Sequence, residues 1–130
     1  MQRVLIVGGA GYIGGYTTDS LKREGYDVAV YDSLLYEDRY LKNIPFIYGD
    51  IRDTDKLIEV AEQYDCIVLA AALVGDPACS VDNLLTEEIN YSAIKRFTER
   101  ISSDKRLIFL STCSVYGAQD GVLTEQSPTN

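Results

Sequence analysis

Histidine is absent from the 130 residues, which removes the side chain most often used to move protons near neutral pH. Any acid–base chemistry must therefore run on Tyr, Ser, Thr, Cys, Lys or carboxylates. Cysteine is scarce: Cys66, Cys79 and Cys113 are an odd count with no CxxC pair. Neither a disulfide framework nor a cysteine metal site is expected, and a reduced, cytoplasmic protein is. Positive charge is in short supply, with 12 Lys and Arg against 20 Asp and Glu and a net charge of −8. That balance argues against nucleic acid as a partner. It leaves a phosphorylated ligand open, because backbone amides at a helix N-terminus bind phosphate without any cation. Long apolar runs are missing too. "RVLIVGGAGYIGGY" and "CIVLAAALVG" are too short and too glycine-rich to span a bilayer, so no membrane partner is expected. Nothing at the start resembles a secretion signal, since residues 1–8 already read as a core strand.

What is present is ordinary globular composition, 46% apolar and 25% charged, in a length suited to one domain over residues 1–130. Short apolar runs alternate with helical periodicity, without repeats. "RVLIVGG" reads as a buried strand, "YIGGYTTDSLKREG" as a helix ending near Gly25, and "DVAVYD" and "PFIYGD" as strands around an unassigned segment near 36–43. "DTDKLIEVAEQY" places Leu57, Val60, Ala61 and Tyr64 on one helical face. "CIVLAAA" and "RLIFLST" complete five strands. Between them Leu85, Ile89, Ala93, Phe97 and Ile101 recur every four residues, predicting one long helix over 83–102. Strands that are apolar throughout, alternating with helices, predict an α/β fold: a doubly wound parallel sheet of the Rossmann type, covered on both faces. Such sheets bind ligands beyond the carboxyl ends of their strands.

"VGGAGYIGG" follows the first strand and opens a helix. Gly9, Gly11 and Gly14 satisfy G-x-G-x-x-G, and Gly8, Gly11 and Gly14 satisfy G-x-x-G-x-x-G. Glycines there turn the chain sharply and let a pyrophosphate approach the backbone, while the helix start, with Tyr12 and Ile13, offers free N–H donors. A tight strand-to-helix turn without a ligand would use the same residues. Asp32 closes the second strand eighteen residues after Gly14, near the spacing expected of the acid that holds an adenosine ribose. Ser33, Leu34 and Leu35 follow with no adjacent Arg, which favours NAD over NADP, although Arg39 is within reach of the same end.

With "GDIRD" and "STCSVYG" added in order, the chain resembles the extended short-chain dehydrogenase/reductase family, in particular the NAD-dependent nucleotide-sugar epimerases and dehydratases. The resemblance implies that Asp50 and Ile51 lie against adenine. It implies that Leu69, Ala70 and Ala71 pass beside the cofactor, with Val68 where the family often has His, and that Asn90 braces the turn next to the cofactor. In "STCSVYG" it puts Thr112 at the catalytic Ser/Thr, Ser111 near the nicotinamide and Ser114 near the sugar. A Ser/Thr-rich strand end bonding its own backbone is the plainer reading of that motif. The acidic pair that similar dehydratases carry where Cys113 and Ser114 stand is absent, so epimerisation or a related sugar oxidation fits better than dehydration.

The resemblance also implies a Tyr-x-x-x-Lys pair on the helix after the fifth strand, where lysine lowers the tyrosine pKa so that it takes the substrate's proton. The one such spacing here, Tyr91 to Lys95, precedes that strand and reads as an ordinary surface pair. The expectation is therefore an N-terminal part of an enzyme, with the catalytic base and the sugar-binding region beyond Asn130, inactive alone and able to pair as a homodimer in its longer form. A dinucleotide-binding or redox-sensing module without catalysis is the alternative.

Overall fold

A computed structural model describes residues 2–35, 38–73 and 80–130; Cys79 and the end of "CIVLAAALVG" lie outside them. Five strands form one parallel sheet: β1 (Arg3–Val7), β2 (Asp27–Asp32), β3 (Phe46–Tyr48), β4 (Cys66–Leu69) and β5 (Arg106–Phe109). Their order is β3-β2-β1-β4-β5, and all four neighbouring pairs run parallel, with Leu5 opposite both Ala29 and Ile67. The chain reverses its direction of travel across the sheet between β1 and β4, the switch point at which such folds open a ligand crevice.

Side chains alternate across a strand, so each buried strand feeds two cores. Leu5, Val7, Ala29, Tyr31, Ile67 and Leu69 face one side, where they pack with Leu57 and Ala61 of α2 (Thr54–Ala61) and with Ala93 and Phe97. Val4, Ile6, Val28, Val30, Cys66 and Val68 face the other, with Leu21 of α1 (Tyr12–Arg23) packed against them. Val68 is thus an interior packing residue. The predicted two-sided coverage is found over β1, β2 and β4.

Helix α1 starts at Gly11, which has no side chain to cap it, and ends before Gly25, whose φ of +91° suits glycine. Asp53 caps α2 by accepting from Lys56 N at 3.3 Å. The single helix predicted over 83–102 is three pieces: α3 (Asn83–Glu87), a π turn (Glu88–Ser92) and α4 (Ala93–Arg100). An α-helix advances 3.6 residues per turn, so a stripe spaced strictly by four drifts by about 40° at each step. The wider π turn takes up that drift. Ile89, Ala93 and Phe97 accordingly stay buried in the core, with Leu85 and Ile101 half-buried against it. Strand β4 is also shorter than "CIVLAAA", because the chain leaves the ladder at the alanines. Strand β5 is an outer strand and largely exposed.

Candidate functional site

The carboxyl ends of β1, β2, β3 and β4 surround a cleft of about 590 Å³, in the size range of ligand pockets. Gly8, Ala10, Gly11, Tyr12, Asp32, Ser33, Asp50, Ile51, Ala70 and Ala71 line it. The sequence-predicted residues of the first four strand ends therefore meet on one surface. Ile13, Gly14, Leu69 and Asn90 stand behind that surface or beside it rather than in its lining. Ser111, Thr112 and Ser114 follow β5, the outer strand, and also lie outside the lining.

The glycines have distinct tasks. Gly8 holds φ +88°, and a Cβ there would sit 2.5 Å from Ala71 N. A Cβ on Gly14 would fall 2.1 Å from the Gly8 carbonyl oxygen, so α1 packs directly on the loop. Both positions are dictated by the protein's own packing. Gly11 is different: its φ of −76° is open to any residue, and a Cβ would meet only Gly8 O at 3.5 Å. What a side chain at Gly11 would occupy is the cleft in front of an uncapped helix start, with its free N–H groups and partial positive charge.

Asp32 is oriented by the loops on either side of it. One carboxylate oxygen accepts from Ala10 N at 3.0 Å and the other from Leu34 N at 2.7 Å, with Leu34 in the left-handed region at φ +56°. Each oxygen has a further lone pair for a hydroxyl donor. Asp50 is gripped by its neighbour: Arg52 donates to it from Nε at 2.9 Å, from its guanidinium NH2 at 2.6 Å and from the backbone at 2.8 Å. The hydrogen bond from Arg52 holds the Asp50 carboxyl below the usual carboxylate range.

Asn90, on the π turn, accepts from Leu73 N and donates to Leu73 O, both at 2.8 Å. It faces inward and braces the chain just past β4, so a merely solvent-facing role does not describe it. Thr112 caps a short 3-10 turn (Cys113–Tyr116): its Oγ1 accepts from Ser114 N and donates to Ser114 Oγ, both at 3.2 Å. Tyr91 is exposed, and Lys95 pairs with Glu99 at 3.1 Å, as expected for a surface pair.

Several lining residues escape sequence reasoning. The Tyr31 ring is buried against Gly49, where a Cβ would meet it at 2.3 Å, and its hydroxyl donates to Asp50 O at 2.9 Å. Lys42 reaches from the unassigned segment to donate to Gly15 O and Asp19, each at 2.9 Å, tying that segment to α1. Arg39 lines the same side. The continuous apolar run of β2 was signal enough to bury Tyr31; nothing local announced Lys42. Among the described residues there is no group of side chains placed to hold a metal ion, and no helix long and apolar enough to cross a membrane.

A glycine loop against an uncapped helix, an acid closing β2 and a cleft at the switch point define a Rossmann-type dinucleotide-binding fold. Residues 4–130 match the NAD dependent epimerase/dehydratase family, and the chain belongs to it. It is 33% identical to UDP-glucose 4-epimerase of Rhizobium meliloti over 135 residues, covering 97% of this chain and 40% of that protein. It is 30% identical to UDP-N-acetyl-alpha-D-glucosaminuronate decarboxylase of Bacillus cytotoxicus over 122 residues, 89% of this chain and 38% of that one. The crystal structure of UDP-glucose-4-epimerase from Stenotrophomonas maltophila with bound NAD and formylated UDP-arabinopyranose superposes with a TM-score of 0.89 at 26% identity, over all of this chain and 43% of that one. The chain thus spans about two fifths of these relatives. The cofactor of the family is NAD.

Proposed function

We propose that this chain is the NAD-binding part of a nucleotide-sugar epimerase or a closely related sugar-nucleotide oxidoreductase. The observation that carries the reading is the meeting of the glycine loop, Asp32 and Asp50 on one cleft, with "STCSVYG" at the end of β5, the strand beyond β4 on the far side of the switch point. Residues Gly8 to Gly14 hold the pyrophosphate on backbone N–H groups, Asp32 takes the adenosine ribose with Ser33 beside it, and Asp50 and Ile51 form the adenine wall. Leu69, Ala70, Ala71 and Asn90 fix the far wall beside the nicotinamide, and Ser111 borders it. NAD would accept the hydride from the sugar carbon while the hydroxyl on that carbon gives up its proton. Thr112 hydrogen-bonds the oxygen being oxidised and shares its proton with a tyrosine, while Ser114 contacts the sugar.

No lysine follows Thr112 in these 130 residues, so the tyrosine–lysine base has to come from outside them. Most of the sugar pocket, and pairing into a homodimer, likewise belong to the longer protein in this reading. Expected of the chain alone is NAD binding without turnover. A non-catalytic dinucleotide-binding module is the second reading, favoured by the way Thr112 already satisfies its hydroxyl on Ser114. The two separate in a longer protein that carries these residues together with the tyrosine–lysine pair. There Thr112→Val should lower kcat by about 10²–10⁴ with NAD affinity unchanged. Unchanged kcat in that variant rejects the catalytic role.

A further inference from the structure

Two ion pairs stand between one wall of the cleft and the other, and Asp50 and Arg52 themselves line it. Asp50 is held by Arg52, and Glu88, the first residue of the π turn, is ion-paired with Arg96 on α4. Arg96 in turn donates from Nε to Thr54 Oγ1 at 3.3 Å, and Thr54 is the buried first residue of α2. The hydrogen bond from Arg96 holds the Glu88 carboxyl below the usual range, with a smaller contribution from the charge of Arg52. The signs alternate along the chain, Asp50, Arg52, Glu88, Arg96. At one end is the adenine wall, Asp50 to Arg52. At the other is the π turn, whose Ile89 lines the cleft and whose Asn90 grips Leu73 beyond β4.

We infer that Arg96 is a positioning residue that, through Glu88 and Thr54, sets the adenine wall against the π turn and so fixes the width of the cleft. The inference rests on the reading of that cleft as the dinucleotide site. Arg96 touches no ligand in this scheme. Its guanidinium suits the task because one planar group reaches both a carboxylate and a hydroxyl, which a lysine ammonium on a flexible stem does less well. Ile51 of the adenine wall and Ile89 of the π turn share one core cluster and line the cleft together, so moving either shifts the surface that the adenosine half meets.

The test is a calorimetric titration of the 130-residue chain with NAD and, separately, ADP-ribose. Arg96→Met should weaken both by the same factor, about three- to fivefold, the scale of an exposed ion pair, and the loss should shrink in high salt. Arg96→Lys should recover part of it, keeping Glu88 but not Thr54. The exchanged pair, Glu88→Arg with Arg96→Glu, should recover nothing, because the new arginine would face Arg52. Full recovery by the exchange would reduce the network to an isolated pair and overturn the inference, as would unchanged affinity in Arg96→Met. If Arg96→Met does not fold, Glu88→Gln carries the test, with the same loss expected and unchanged affinity again contradicting it. Should the unaltered chain bind neither ligand, both the cleft reading and this inference fall. Binding that no variant weakens removes the inference alone.

Discussion

Tyr31 is a residue whose chemistry follows from being buried in a strand covered on both faces. Burial, with Asp53 and Asp50 adding to it, pushes its phenol up to about 12, so the folded protein keeps the proton that Tyr31 donates to Asp50 O. An unfolded tyrosine ionises near pH 10. The sign follows: the stabilisation is complete below pH 10 and is lost as pH rises from 10 towards 12. Compared with Tyr31→Phe, the unaltered chain should be more stable by about 1 kcal/mol at pH 8, and urea titrations should show that gap closing between pH 10 and 12. A gap independent of pH would contradict the assignment. Single residues differed in how legible they were. Asp32 stood out by its spacing from the glycine loop, and Asp50 only through the likeness of "GDIRD" to the family. Their partners, Ala10 N and the Arg52 side chain, are set by loop geometry that no periodicity encodes.

Among the elements, the strands and α1 were read within a few residues because burial on both faces leaves continuous apolar runs and because Gly25 stops the helix. The exception is the interrupted helix from α3 through α4. Its strict four-residue stripe carried the clue, since that spacing does not fit 3.6 residues per turn. The π turn aims Ile89 at the cleft and Asn90 at Leu73. Asn90→Leu removes both hydrogen bonds to Leu73 and should cost about 1–3 kcal/mol of stability in a denaturant titration. A cost within error of zero would mean that the brace is not structural. The segment leading to β3 was illegible for a different reason: Lys42 fastens it to α1 through contacts distant in sequence.

At the scale of the whole molecule, the parallel α/β class was legible from the alternation of runs and helical faces. The order β3-β2-β1-β4-β5 was not, because strand neighbours are set by long-range pairing. That order gathers four strand ends around one cleft and leaves β5, with Phe109 exposed by 55%, at the rim. The central claim is that this cleft is built for the pyrophosphate of NAD rather than being a tight turn. Gly11 separates the two, because the fold itself does not need a glycine there. The measurement is NAD affinity and unfolding free energy of Gly11→Val beside the unaltered chain. The account predicts that stability changes by no more than about 1 kcal/mol, while NAD affinity falls by about tenfold or more as the valine fills the space the pyrophosphate needs. Unaltered NAD affinity in Gly11→Val, or no NAD binding by the unaltered chain, would contradict it.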